Sequence, residues 1–241
     1  MASLIRHALE CIEIICENLT PVLEPIVYSI GELYPANPPN KRFEKMSVSV
    51  VNADSLNIAL HYASTSKTIM LNMANPRTPG GNPHIVGSQE EDIFRRTDLK
   101  LHLMPEFYPL NTRLIYSRSV RVFLRGLREN YSIMSQTGMI DIVSCSAVKN
   151  NNIGTELNSR DAREMYFKII AILELAYKHG YESVVLSAFG CSGFCCPPEH
   201  VSQLFKKALD YYDGAFKTVI FAIWNENQPK SNFAVFNETF M

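Results

Sequence analysis

The chain has 241 residues, 46 % of them hydrophobic, which is enough to bury one sizeable core and fits one domain with a terminal extension better than two domains. A formal charge of −1 argues against a broad basic face, so direct nucleic-acid binding is set aside and any phosphate has to be held locally. The six cysteines (Cys11, Cys16, Cys145, Cys191, Cys195, Cys196) show no disulfide framework, no apolar run is long enough for a membrane span, and the N-terminus lacks a signal-peptide layout. These features read as a soluble protein of a reducing compartment, cytoplasmic with a nuclear location also compatible, and without a membrane partner.

In chain order, Leu4, Ile5, Ala8, Leu9, Ile12, Ile15 and Cys16 fall on one helical face, opposite Arg6, Glu10, Glu13 and Glu17. That helix is expected to pack on the domain. Pro21, Pro25, Pro35, Pro38 and Pro39 then suggest a short helical piece and a linker, so residues 1–45 read as an N-terminal helical extension and residues 46–241 as the main domain.

From residue 46 strands and helices alternate. Residues 46–51 suit a strand, residues 54–63 a helix capped by Asp54, and residues 67–73 the next buried strand. The alternation implies parallel pairing, with ligands where strands end and loops begin. At such an end Pro76 and Pro79 forbid regular structure, and Gly80-Gly81 allows positive φ and close approach to a ligand. Ser88-Gln89-Glu90-Glu91 then has capping-box spacing, which on its own accounts for Glu91 as a cap but leaves Gln89 and Glu90 unexplained. The helix is expected over residues 89–103.

Residues 104–109 read as loop, residues 114–124 as one or two extended pieces and residues 140–148 as a buried strand. Arg113, Arg118, Arg121, Arg125 and Arg128 spread over both faces and read as solvated surface. Asn150, Asn151, Asn152 and Gly154 mark a flexible connection with little chemical signal. A long helix over residues 160–179 follows, with Ala162, Met165, Tyr166, Ile169, Leu173 and Ala176 as its core stripe.

Residues 184–189 form the next expected strand. Gly190-Cys191-Ser192-Gly193-Phe194 follows it, then Pro197-Pro198 and a helix, an arrangement whose amides can converge on an anion. Cys191, Cys195, Cys196 and His200 could be drawn as a zinc set, but the adjacent cysteines fit small buried side chains better, and no metal or cofactor is expected. Residues 217–223 are the last core strand, residues 224–227 lie at its end, and residues 228–241 read as a tail.

Asn75, Pro79-Gly80-Gly81-Asn82 and, after six residues, Gln89-Glu90-Glu91 resemble the signature of microbial-type poly(ADP-ribose) glycohydrolases. The loop at residues 190–194 resembles that family's diphosphate loop, with Ser192 for its middle glycine and Cys195-Cys196 for its usual Gly-Asn. Tyr116-Ser117 and Val120-Arg121-Val122-Phe123 match a further segment.

The resemblance covers about residues 46–223. It implies a three-layer α-β-α macrodomain of the α/β class, with a mixed central sheet and an N-terminal helical extension. It further implies hydrolysis of ribose-ribose O-glycosidic bonds in poly(ADP-ribose), with ADP-ribosylated protein or the polymer as partner and ADP-ribose as product or ligand. On that analogy Glu91 is the acid and base, Glu90 and Gln89 orient the substrate ribose, and Asn75 binds the distal ribose. Gly80, Gly81 and Asn82 shape the pocket, Gly190, Cys191, Ser192 and Gly193 hold the diphosphate, and Phe194 presses the ribose toward Glu91. Trp224 and the polar residues after it would lie near the adenine, with Phe221 beside them; core for Phe221 and surface for the polar residues is the equally open reading. A non-catalytic ADP-ribose reader and a hydrolase of single ADP-ribose units use the same pocket and are the alternative readings.

Overall fold

A computed structural model of the chain describes residues 1–82, 84, 87–152, 154–224 and 231–241. Seven strands form one sheet: β1 (Ile26–Ser29), β2 (Ser47–Val51), β3 (Thr68–Met73), β4 (Arg113–Leu124), β5 (Ile133–Cys145), β6 (Ser183–Leu186) and β7 (Thr218–Ala222). Their order across the sheet is β1-β4-β5-β3-β6-β7-β2. β5, β3, β6, β7 and β2 run parallel, while β4 is antiparallel to both β5 and β1. The sheet is therefore mixed, and its parallel part places the loops after β5, β3 and β6 along one edge.

The period-two alternation of side chains divides the core between two faces. On one face, Ile69 and Leu71 of β3, Val143 of β5, Val184 and Leu186 of β6, and Phe221 of β7 meet α4 (Ser159–Lys178), α5 (Pro198–Tyr211) and α6 (Asn232–Phe240). On the other, Met70, Ile142, Val185 and Ile220 meet α2 (Ser55–Ala63) and α3 (Gln89–Arg96). These are the three layers, α-β-α, that the sequence led one to expect. Helix α1 (Ala2–Cys16) forms a third cluster, in which Ala8, Ile12 and Cys16 pack on Leu124 and Tyr131.

Several elements differ from the sequence expectation. Ile26–Ser29 is an edge strand paired with Arg113 to Tyr116, not a helical piece, so the sheet begins ahead of residue 46. Helix α3 stops at Arg96 instead of residue 103, because Thr97 turns out of it to bridge Val122 and its Oγ1 donates to the carbonyl of Ile93 at 2.8 Å. Leu99 and Leu103, which extend the apolar pattern, are buried from a 3-10 turn and a loop. β5 begins at Ile133 and ends at Cys145. The expected tail contains α6, whose Phe236 and Phe240 lie against Phe221, with centroids at 5.3 and 4.7 Å.

Candidate active site

The site is built on α3, whose start is pulled against the end of β3 by Gln89. The Gln89 Oε1 accepts from the Met73 amide at 2.8 Å, and its Nε2 donates to Ser55 Oγ at 2.9 Å and to the Leu71 carbonyl at 3.0 Å. These contacts occupy its amide group, so the structure makes Gln89 a clamp between β3, α2 and α3 instead of the ribose ligand expected. The far end of α3 is held by Arg96, fully buried, which pairs with Asp54 and Asp92 at 2.9 Å each and donates to Asn57 Oδ1 and the Leu124 carbonyl. Tyr131 donates to Asp92 at 2.8 Å and accepts from Arg95. An eight-residue helix with little apolar surface is thus fixed by buried ionic bonds, which need complete partners to be tolerated.

The capping box read from Ser88 and Glu91 does not form: Ser88 is the N-cap residue but makes no side-chain cap bond. Glu91 points elsewhere. Its Oε1 accepts from the Asn82 amide at 3.1 Å, and its Oε2 is buried without a hydrogen-bond partner among the described residues. The side chain is 6 % exposed. A buried carboxylate oxygen without a donor is costly in a resting protein and marks a place where a ligand group or water completes the bonding.

Glu90 faces inward under the glycine loop. Its Oε2 accepts from the Asn75 amide at 2.7 Å, and its Oε1 from the Gly80 amide at 3.3 Å and Asn72 Nδ2 at 3.5 Å. Burial, helped by the charge of Glu91 and opposed by these donors, raises its pKa to about 8. Glu90 therefore retains a proton at neutral pH.

Gly81 sits between the two carboxylates. At φ +58° it adopts the left-handed conformation, and a Cβ there would lie 2.3 Å from Glu91 Oε1 and 3.5 Å from Glu90 Oε2. Gly80, at φ +71°, would put a Cβ 2.4 Å from the Phe94 ring. Asn75 Oδ1 accepts from the Arg77 and Thr78 amides, so this side chain also shapes the loop. Asn82, in the place of a third glycine, is outside the left-handed region, and its amide carries the bond to Glu91.

The second loop leaves β6, the neighbour of β3, at the same edge. Gly190 at φ +79° packs a would-be Cβ 2.8 Å from Ala147 and 3.0 Å from Cys196 Sγ, whereas Gly193 faces open space. Ser192 needs no glycine conformation, and its Oγ lies 3.4 Å from Asn232 Nδ2 of α6. Cys195, where the resembling family has glycine, does adopt φ +54°. Cys191 is half-buried with its thiol pushed well up by burial, and Phe194 is half-buried against the apolar layer of α4 and α5. His200 Nδ1 accepts from the Leu157 amide at 2.9 Å, an anchoring bond for the segment before α4.

Trp224 is exposed at the end of β7, with the Arg128 guanidinium 4.0 Å over its ring. Phe221 is fully buried among Phe205, Phe236 and Phe240 and is core, which decides between the two readings left open for it. Residues 225–227 lie outside the described residues. Sequence reasoning missed Asn72, Ser55 and Arg96, polar groups whose burial no periodicity signals. It also passed over Asn150, although the local run of asparagines was visible.

The fold and the paired loops define a macrodomain with two adjoining glutamates at the ligand-binding edge of its sheet. Residues 25–125 match the family model described as microbial-type PARG, catalytic domain. Among solved structures, poly(ADP-ribose) glycohydrolase from Thermomonospora curvata superposes with a TM-score of 0.78 at 23 % identity, covering 100 % of this chain and 89 % of the other. The Deinococcus radiodurans poly(ADP-ribose) glycohydrolase in complex with ADP-ribose gives 0.76 at 19 % identity, covering 89 % and 93 %. No curated protein sequence matches. The family resemblance read from the sequence is borne out by the family match, which contains the first loop, and by the shared fold; the second loop lies outside the matched residues.

Proposed function

We propose that the protein is a glycosidase that hydrolyses ribose-ribose O-glycosidic bonds of poly(ADP-ribose) and releases ADP-ribose. The observation that carries this reading is the Glu91 carboxylate, held through one oxygen by the Asn82 amide while the other is enclosed and has no hydrogen-bond partner among the described residues. That oxygen is presented to a substrate. Glu91 gives its proton to the leaving ribose oxygen as the C–O bond breaks and an oxocarbenium-like centre develops at the anomeric carbon. It then takes a proton from the water that attacks that carbon, which returns it to the acid form and leaves a hydroxyl on the released ADP-ribose.

Glu90 supports this from beneath the loop. With its proton retained, Glu90 brings no negative charge toward a polyanionic substrate, and its bonds to Asn75 and Gly80 hold the glycine turn that keeps Glu91 aimed. Asn75, Gly80, Gly81 and Asn82 form the ribose wall, the amides of Ser192 and Gly193 in the loop after β6 receive the diphosphate while that of Cys191 is bonded to the Ala188 carbonyl, and Phe194 presses the ribose toward Glu91. Residues 26–241, α6 included, form the catalytic unit on this reading, with α1 docked on it as an extension. Likeness to the microbial-type family supports a cytoplasmic location, with a nuclear one also compatible; among the described residues the cysteines are free and no helix is long and apolar enough to cross a membrane.

Incubation with poly-modified and mono-modified protein side by side tests the reading. Release of ADP-ribose from polymer by the wild type, abolished in a folded Glu91→Gln variant, is the expected result. Polymer cleavage that survives in Glu91→Gln overturns the assignment of the acid; release from mono-modified protein alone overturns the assignment of the linkage.

A further inference from the structure

The loop after β5 carries no chemistry that its sequence advertises, yet it is bonded to the proposed diphosphate loop at successive points. Gly190 leaves room for no Cβ against Ala147, and Cys196 Sγ lies 3.2 Å from the Val148 carbonyl. The Asn150 amide donates to the Phe194 carbonyl at 2.9 Å. Asn150, only 7 % exposed, completes the set with its side chain: Nδ2 donates to the carbonyls of Cys195 at 2.9 Å and Asn152 at 3.1 Å, and Oδ1 accepts from the Asn152 amide at 3.1 Å. One side chain therefore closes its own loop and binds the other.

We infer that Asn150 is a positioning residue that holds the Gly190–Phe194 loop in its ligand-ready form, acting through the backbone of Phe194 and Cys195. Cys195 occupies a left-handed conformation without being glycine, which costs free energy that neighbouring bonds have to offset. The Asn150 amide supplies the bond at that residue. Loss of this donor leaves the Cys195 carbonyl without its partner beside the left-handed residue and lets the turn relax, shifting the Ser192 and Gly193 amides and the Phe194 ring. Neighbouring backbone contacts keep the core packed, so the effect falls on ligand capture more than on folding. The inference rests on the reading of this loop as the diphosphate site.

Asn150→Leu is the sharpest variant, since it is close in volume, uncharged and removes both donors. Asn150→Ser, uncharged and shorter, serves where the first does not fold. The full chain is titrated with ADP-ribose by calorimetry, melted, assayed on polymer and alkylated with iodoacetamide, with the site of labelling read by mass spectrometry. Loss of one or two neutral hydrogen bonds predicts about tenfold weaker ADP-ribose binding. Because the diphosphate is held alike in ground and transition states, KM rises by a similar factor with kcat little changed. Exposed Cys195 is alkylated faster. Wild-type affinity in a folded variant overturns the inference, as does a loss of melting temperature in step with affinity without faster Cys195 labelling, which assigns Asn150 to folding alone. No ADP-ribose binding by the wild type overturns the reading of the site, and this inference with it.

Discussion

Glu90→Gln removes the ionisable group whose proton affinity the fold alters most clearly at the site. In the unfolded chain this carboxylate titrates at about 4.5; in the folded protein burial and the charge of Glu91 carry it to about 8. The folded state therefore binds more protons between these values, and stability falls as pH rises. The stabilising contribution is complete below the unfolded pKa and is lost as pH climbs through about 8. Every tenfold gain in proton affinity is worth about 1.4 kcal/mol, and Glu90 is 2 % exposed, so the fall between pH 5 and 8 comes to about 3 kcal/mol. A neutral glutamine keeps an acceptor for the Asn75 amide, turns its amide end toward a backbone donor, and has no such slope. Urea unfolding of wild type and Glu90→Gln at pH 5, 6, 7, 8 and 9 gives the difference directly. The variant gains on the wild type with each pH step up to about 8 and then levels. Parallel curves, or a variant that loses ground as pH rises, refute the protonated Glu90.

Gly81→Ala forces a methyl to within 2.3 Å of Glu91 Oε1 at a left-handed residue; polymer cleavage should drop on the order of a hundredfold, since a displacement near 1 Å suffices, with the fold retained in circular dichroism. Arg96→Ala leaves Asp54 and Asp92 without their shared cation inside the α2–α3 contact, and should lower unfolding free energy by about 3 kcal/mol in urea titration. Cys195→Gly relieves the left-handed strain and should raise stability by about 1 kcal/mol, read as a rise in melting temperature.

The parallel part of the sheet was legible because strands such as residues 67–73 are short apolar runs between turn residues, and such runs are buried on both sides. The edge was not. Ile26–Ser29 is a four-residue strand amid prolines, too short for a period to show, and it exists by pairing with β4. α6 was read as tail because its phenylalanines have meaning only against Phe221, a contact between distant parts of the chain.

At the site, the glycines and the tandem glutamates were visible, whereas the use made of each was not. Spacing suggested a cap for Glu91, yet the Asn82 amide takes that carboxylate instead. Gln89 looked free for a ligand and is consumed by β3 and Ser55. In both cases the partner comes from another segment, and polar pairing across segments has no periodic trace.

The claim on which the rest depends is that the two loops at the sheet edge serve one nucleotide. A crystal structure of the wild-type protein soaked with ADP-ribose tests it most directly. The account predicts diphosphate oxygens within about 3 Å of amides in the Gly190 to Gly193 turn and the terminal ribose oxygen facing Glu91 Oε2. Density for the ligand with its ribose turned away from Glu91, or bound outside both loops, contradicts it.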